Sequence, residues 1–251
     1  MIIGPSIGWM FARGVYSPSE RKRVLKFLGS NALEVPANSD LAENTRRMDS
    51  LDGDDLLSSH NSFHLANYDP SRSLEEQVVF ARKMLSDSRF STVLIHPIGL
   101  PEKYFEGIGD FLERRIYSGM SSYNSTSFAI ENMDGTSSEG TKIEELERLL
   151  KGYPELGLVF DVQHAYEQDE TMGYAEELFL MGEDRIRHFH VSGNGKDGKE
   201  KHGLLYKSQN RDAILNFLNN LGRTAPVIVE GQYANEYELS GEIDFLKREL
   251  V

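Results

Sequence analysis

The chain has 251 residues, 39% of them hydrophobic, no cysteine, and 27 basic against 40 acidic side chains, for a formal charge of -13. That length buries a large core as one α/β domain or two small ones, and the lack of cysteine excludes disulfides, thiolate metal sites and cysteine nucleophiles. Any metal must therefore be held by His, Asp and Glu. The acidic balance gives no general attraction to nucleic acid or an anionic membrane, so a polyanion could be bound only by a local patch or through metal ions that reverse the charge locally.

The N-terminal MIIGPSIGWMF is apolar, but no basic residue precedes it and Gly4, Pro5 and Gly8 interrupt it. It reads as a strand and turn rather than a signal peptide, and nothing later approaches a membrane span, so a cytoplasmic protein is expected. Ser17, Pro18 and Glu20 supply a cap, a first-turn proline and a capping-box glutamate for a helix from about Pro18 to Leu28. Asn31 to Val35 is a short strand candidate, followed by a polar, helical stretch carrying Leu41 and Met48. Asp52-Gly53 marks a turn, after which Leu56 to Ser59 leads to His60.

The same unit then recurs. Ser73 and Glu76 cap a helix bearing Val78, Val79, Ala81, Met84 and Leu85, and a strand from Thr92 to His96 follows. Tyr104 to Ile116 has helical spacing before a strand from Phe128 to Glu131. Thr141 and Glu144 open a third capped helix, which Gly152 and Pro154 close ahead of a strand from Leu158 to Asp161. A helix around Tyr174 to Leu180 precedes a strand from Ile186 to His190. Another from Ile214 to Leu221 precedes Val227 to Glu230, and a last helix covers Ile243 to Leu250. About eight strand candidates alternating with helices at roughly thirty-residue intervals fit a single closed (β/α)8 TIM barrel over residues 1-251. No G-x-G-x-x-G or P-loop pattern follows a strand, which argues against an open nucleotide-binding sheet.

The apolar runs end alike. Val93-Leu94-Ile95 precedes His96, Phe128-Ala129-Ile130 precedes Glu131, Leu158-Val159-Phe160 precedes Asp161, Ile186 to Phe189 precedes His190, and Val227-Ile228-Val229 precedes Glu230. In a TIM barrel the C-terminal strand ends face one shared mouth, so His60, His96, Glu131, Asp161, His190 and Glu230 are expected to form a ring. His164, one turn past Asp161, and Glu200 with His202 on the next loop are candidates to join it. Imidazoles and carboxylates without thiolates suit Zn²⁺, with Mn²⁺ or Mg²⁺ as alternatives. His188 alternates with His190 but lies deeper, as core or as support for the site, and His64 reads as a loop residue. Lys196, Lys199, Lys201 and Lys207 are interspersed with acidic residues and read as a solvated loop.

The motifs SSHNSF, VLIHPIG, AIENMDG, VFDVQHAY, FHVSGN, EKHG and VIVEG, in this order, resemble the xylose-isomerase-like barrel superfamily. Within it they resemble most the endonuclease IV family of abasic-site endonucleases, over nearly the whole chain. That resemblance implies two or three Zn²⁺ ions held by His60, His96, Glu131, Asp161, His164, His190, Glu200, His202 and Glu230. It implies hydrolysis of a phosphodiester, with DNA containing an abasic site as partner, Glu131 orienting the nucleophile, and Glu131 and Glu230 as catalytic residues. Phe63 falls where the family places an aromatic contact to the lesion, with Asn61 in the same loop. The chain departs from the family at Ser192-Gly193, where Asn-Asp is usual, and at Gly203-Leu204-Leu205. A second branch of the superfamily implies a sugar isomerase or epimerase: one metal on Glu131, Asp161, His190 and Glu230, a small sugar as partner, and two glutamates moving a proton. A third reading is a non-catalytic barrel that binds a metal or a sugar phosphate.

Overall fold

The computed structural model describes residues 1–8, 18–37, 59–117, 126–194, 202–221 and 225–250. Eight strands form one parallel sheet: β1 (Ile3–Pro5), β2 (Ala32–Pro36), β3 (His60–His64), β4 (Thr92–Ile95), β5 (Ser127–Glu131), β6 (Leu156–Asp161), β7 (Ile186–Val191) and β8 (Val227–Val229). The strand order is β1-β8-β7-β6-β5-β4-β3-β2. A bridge from Ser6 to Glu34 and the bond from the Ile7 amide to the Glu34 carbonyl (2.9 Å) join the two ends of the sheet. Gly4 permits that closure, because a Cβ there would lie 1.7 Å from the Ala32 carbonyl oxygen. The fold is a single (β/α)8 TIM barrel.

Among the described residues the α-helices are α1 (Pro18–Leu28), α2 (Leu74–Leu85), α3 (Glu102–Tyr117), α4 (Ile143–Gly152), α5 (Val162–Gln168), α6 (Gly173–Gly182), α7 (Arg211–Asn220) and α8 (Glu236–Glu249). The Ser73 hydroxyl accepts from the Glu76 amide at 3.4 Å and so caps α2 as expected. The expected cap at Thr141 is not formed: Lys142 occupies the N-cap position of α4 without a side-chain bond, and the Glu145 carboxylate instead accepts from the Gly140 amide at 3.1 Å. The final helix begins at Glu236, earlier than its apolar spacing indicates, because the Asn235 side chain accepts from the Tyr237 and Glu238 amides. The helix expected around Leu41 and Met48 and the turn at Asp52-Gly53 lie outside the described residues.

Two apolar layers follow from the strand alternation. Val93, Ile95, Phe128, Ile130, Leu158, Phe160 and Phe189 point outward and pack with the helices in the main core. Leu94, Ala129 and Val159 form a separate small cluster inside the barrel. They lie two residues before His96, Glu131 and Asp161 respectively, so the same parity that fills the barrel floor aims those three side chains into its mouth. Among the described residues, no helix is long and apolar enough to cross a membrane.

Candidate metal centre

Strand ends β5 to β8 supply the best-assembled group. One ligand atom each from Glu131, Asp161, His190 and Glu230 lies within 4.8 Å of the others. His190 Nδ1 is 3.1 Å from Glu131 Oε1 and 3.3 Å from Glu230 Oε2. Asp161 ends β6 and starts α5: its Oδ1 accepts the His164 amide at 2.8 Å as the helix cap. The Asn132 side chain pins the Asp161 backbone from both sides, accepting its N–H at 2.8 Å and donating to its C=O at 2.9 Å. The carboxylate is thus held by β5, β6 and the cap together, with Oδ2 left over.

A second group shares Glu131. His64, His96 and Glu131 also bring ligand atoms within 4.8 Å of one another, with His96 Nε2 3.2 Å and His64 Nε2 3.9 Å from Glu131 Oε2. The two oxygens of Glu131 therefore face opposite ways, Oε1 toward His190 and Oε2 toward His96 and His64. His164 and His202 stand at the rim with ring centroids 5.9 Å apart. The Nδ1–H of His164 donates to the Asn132 carbonyl at 2.9 Å, so in the neutral ring the lone pair is on Nε2. His202 has a left-handed backbone (φ 58), uncommon for a side-chain-bearing residue and held here by local bonding. Its carbonyl accepts the Gln232 amide at 2.6 Å, and its Nδ1 lies 3.3 Å from the Ser192 hydroxyl, which donates to Gln163 at 2.7 Å. The departure at Ser192-Gly193 is thus accommodated inside the fold: Ser192 is buried beside His202, and Gly193 bridges Gly203.

Several expectations are corrected. His60 does not end a strand but starts β3, at the far end of the barrel from the mouth, and belongs to none of these ligand groups. His64, read as a loop residue, ends β3 and takes the position expected for His60. The cause is alternation: His60, Ser62 and His64 face the polar barrel interior, which gives this strand no apolar run to reveal it. The same parity turns Asn61 and Phe63 outward. Phe63 is 1% exposed and packs edge-on against Phe80 and Phe90, while Asn61 donates to the Arg89 carbonyl at 3.0 Å. Neither side chain is placed to touch a ligand at the mouth. His188 is fully buried beneath His190, as its depth in the strand implies. Glu200, Lys196, Lys199 and Lys201 lie outside the described residues; Lys207 pairs with Glu238 at 3.4 Å.

The residue that sequence reasoning passed over is Glu34. It sits in the middle of β2, fully buried, with Oε2 accepting from Ser62 Oγ and lying 3.0 Å from His190 Nε2. In the sequence it is a glutamate inside a Leu-Glu-Val run, two residues short of the strand end, which does not by itself separate it from a solvent-facing residue.

The electrostatics call for a cation. Burial and the neighbouring carboxylates Glu34, Glu131 and Asp161 push the Glu230 carboxyl well above its usual range, against the pull of His190. Burial works the same way on Glu131, but His190 and His96 overcome it and hold that carboxyl well below the usual range. Burial opposes charge on His190 too, yet Glu230, Glu34 and Glu131 raise it well above an ordinary imidazole. Glu34 Oε1, Glu131 Oε2, Asp161 Oδ2 and His96 Nδ1 are buried without a hydrogen-bond partner. Unpaired buried carboxylate oxygens are costly in a protein interior, and a divalent ion at the shared focus would satisfy those of Glu131 and Asp161. The donor set is therefore a fit for Zn²⁺, Mn²⁺ or Mg²⁺.

Above these residues opens a pocket of about 670 Å³, lined by His64, His96, Glu131, His164, His202 and Glu230 together with apolar Pro36, Met133 and Tyr233. That volume suits a small molecule.

Solved structures share this fold. A D-tagatose 3-epimerase-like protein superposes with a TM-score of 0.65 at 16% identity, covering 100% of this chain and 97% of the other. The IOLI protein with a bound zinc atom gives 0.63 at 15% identity, covering 99% and 96%. A xylose isomerase-like TIM barrel protein from Mycobacterium smegmatis in complex with magnesium gives 0.59 at 13% identity, covering 93% and 87%. No curated protein sequence matches the chain. The family model described as xylose isomerase-like TIM barrel matches residues 113–249, more than half of the chain and four of the strand ends that build the site. The chain belongs to the xylose isomerase-like TIM barrel family.

Proposed function

We propose that this protein is a divalent-metal-dependent isomerase or epimerase of a small sugar. The observation that carries the reading is the four-residue group Glu131, Asp161, His190 and Glu230, of which Glu131 and Glu230 line a pocket sized for one small molecule. The metal held by these residues would polarise a substrate carbonyl and an adjacent hydroxyl, acidifying the neighbouring C–H. Glu131 and Glu230 each have one oxygen beside His190 Nδ1. With two carboxylates at one focus, one takes the proton from the substrate carbon and the other returns it. The His164 Nε2 lone pair is directed by its Nδ1–H bond to Asn132 and accepts from a substrate hydroxyl. Met133, Pro36 and Tyr233 give the pocket apolar lining. The names of the structural neighbours, a D-tagatose 3-epimerase-like protein among them, point the same way.

The second reading, phosphodiester hydrolysis of endonuclease IV type, is favoured by one observation: the His64, His96 and Glu131 group, which offers a second ion a place beside the first. Against an abasic-site DNA substrate, Phe63 and Asn61 are turned away from the mouth.

The test is solvent-deuterium incorporation at the carbon next to the carbonyl, across a panel of ketoses and aldoses, with one equivalent of Mn²⁺, Zn²⁺ or Mg²⁺. Parallel reactions contain an abasic-site duplex or a simple phosphodiester. Exchange that disappears in Glu131→Gln supports the proposal. Phosphodiester cleavage without exchange, requiring two bound ions and abolished in His96→Gln, overturns it.

A further inference from the structure

We infer that Glu34 is the positioning residue of the metal centre: with His188 it fixes His190 as the Nε2–H tautomer, so that Nδ1 is the atom presented to the ion. This rests on reading the mouth as a metal centre and extends it by a residue outside the four-ligand group.

A chain of hydrogen bonds leads from Ser91 to His190, and its directions can be assigned from the Ser91 end. The Asn61 carbonyl can only accept, and the Ser91 hydroxyl donates to it at 2.8 Å. Having spent its single proton there, Ser91 Oγ must accept from His60 Nδ1–H at 3.0 Å. In the neutral ring this leaves His60 Nε2 as a lone pair, which accepts from His188 Nδ1–H at 3.1 Å. By the same step His188 Nε2 is a lone pair; it lies 3.1 Å from His190 Nε2 and, at 3.5 Å, beyond close bonding distance of Glu34 Oε2. Glu34 Oε2, which is also an acceptor, lies 3.0 Å from that same His190 nitrogen. Both neighbours of His190 Nε2 thus require it to donate.

On its other edge, His190 Nδ1 faces Glu131 Oε1 at 3.1 Å and Glu230 Oε2 at 3.3 Å. That is the edge where the ligand group converges. Glu34 also brings an oxygen within 4.8 Å of ligand atoms of His188 and His190, and of His64 and Glu230; with an ion on the Nδ1 edge it would act instead as the carboxylate outside the coordination sphere that orients a histidine ligand and raises its basicity. Glu34 is itself fixed, since Ser62 donates to the same oxygen at 3.0 Å and the side chain is fully buried. Of its neighbours only the Glu34 carboxylate carries a formal charge toward Nε2–H, so it contributes the larger part.

The experiment uses full-length protein stripped with chelator and titrated calorimetrically with Zn²⁺ alone. Glu34→Gln keeps the shape and removes the charge; it is expected to weaken Zn²⁺ binding about 10- to 100-fold at unchanged stoichiometry, with the melting temperature of the metal-free protein little altered. Binding within about threefold of wild type overturns the inference while leaving the metal centre intact, because it falls below the usual effect of such a partner. Loss of a whole equivalent also overturns it, by making Glu34 a ligand. Wild type that takes up no Zn²⁺ overturns the metal-centre reading and this inference with it. Should Glu34→Gln fail to fold, long-range ¹H–¹⁵N spectra of zinc-loaded wild type decide the matter: His190 protonated at Nε2 supports the assignment, and protonation at Nδ1 refutes it.

Discussion

Asp161 performs two separable jobs with its two oxygens, and Asp161→Asn separates them. Oδ1 caps α5 through the His164 amide, whereas Oδ2 is buried without a hydrogen-bond partner and is the oxygen left for the candidate metal group. Asparagine retains a carbonyl oxygen for the cap and replaces the unpaired anionic oxygen with an uncharged amide. The cap, worth about 1 kcal/mol, should survive. Removing a buried charge from the company of Glu131 and Glu230 should leave the metal-free protein as stable as wild type, or more stable by up to about 2 kcal/mol. With metal the order reverses. At a free ion concentration of about 1,000 Kd the wild type gains about 4 kcal/mol, which for a chain of this size is a rise of roughly 8–16 °C in Tm. If the missing charge weakens binding by about 100-fold, the same concentration is only about 10 Kd for the variant, and the gain falls to about 1.4 kcal/mol. The assay is thermal unfolding in EDTA and in excess Mn²⁺ or Zn²⁺, at one pH. An Asp161→Asn protein that keeps the full wild-type metal shift would refute a ligand role for Asp161 and leave it only the cap.

Two further predictions test placement. Phe63→Ala should cost about 3–5 kcal/mol of stability, as expected for truncating a fully buried aromatic, and leave metal affinity unchanged, as read by urea unfolding and zinc titration. A variant of wild-type stability that had lost affinity for abasic-site DNA would restore the DNA-contact role. His60 is driven down to about 3 by burial and by neighbouring His188. A histidine whose folded value is depressed binds its proton mainly in the unfolded chain, so its contribution is intact above about pH 6.5 and is lost as pH falls from there toward 3. Between pH 6.5 and 4.5 that loss is about 2–3 kcal/mol. His60→Asn should remove this part of the slope, so the stability difference between wild type and variant should shift by that amount between the two pH values. Parallel stability profiles would refute the assignment of a buried neutral imidazole.

What the sequence made legible divides by strand face. The outward faces of β4 to β8 are Val, Ile, Leu and Phe, so their apolar runs reported both the strands and the residues at their ends, and His96, Glu131, Asp161, His190 and Glu230 do converge. β3 reads His-Asn-Ser-Phe-His, with Phe63 its lone apolar residue and polar side chains turned into the barrel. Hydropathy therefore placed the strand too early and offered His60 in place of His64, an error of four residues, or two alternations along one face. Glu34 was hidden for the opposite reason. Its neighbours Leu33 and Val35 face the core and define a strand, and nothing in one sequence distinguishes a glutamate in such a run from a solvent-facing one. The partner that reveals it, His190, is 156 positions away.

The choice between the two chemistries turns on Glu131. One of its oxygens faces His190 and the other faces His96 and His64. With a single ion on the Glu131, Asp161, His190 and Glu230 group, the Oε2 side retains a lone pair that can take a substrate proton, and isomerisation is open to the site. A second ion held by His64, His96 and Glu131 would engage the Oε2 side as well. Glu131 would then have no strongly basic lone pair left for a C–H bond, and the ions would supply the charge stabilisation that phosphodiester hydrolysis needs. On the proposed reading, His64 and His96 would therefore decide between proton transfer and hydrolysis, more than the four residues that either chemistry would use. This is also why those four residues, which the sequence displays most openly, say least about the reaction.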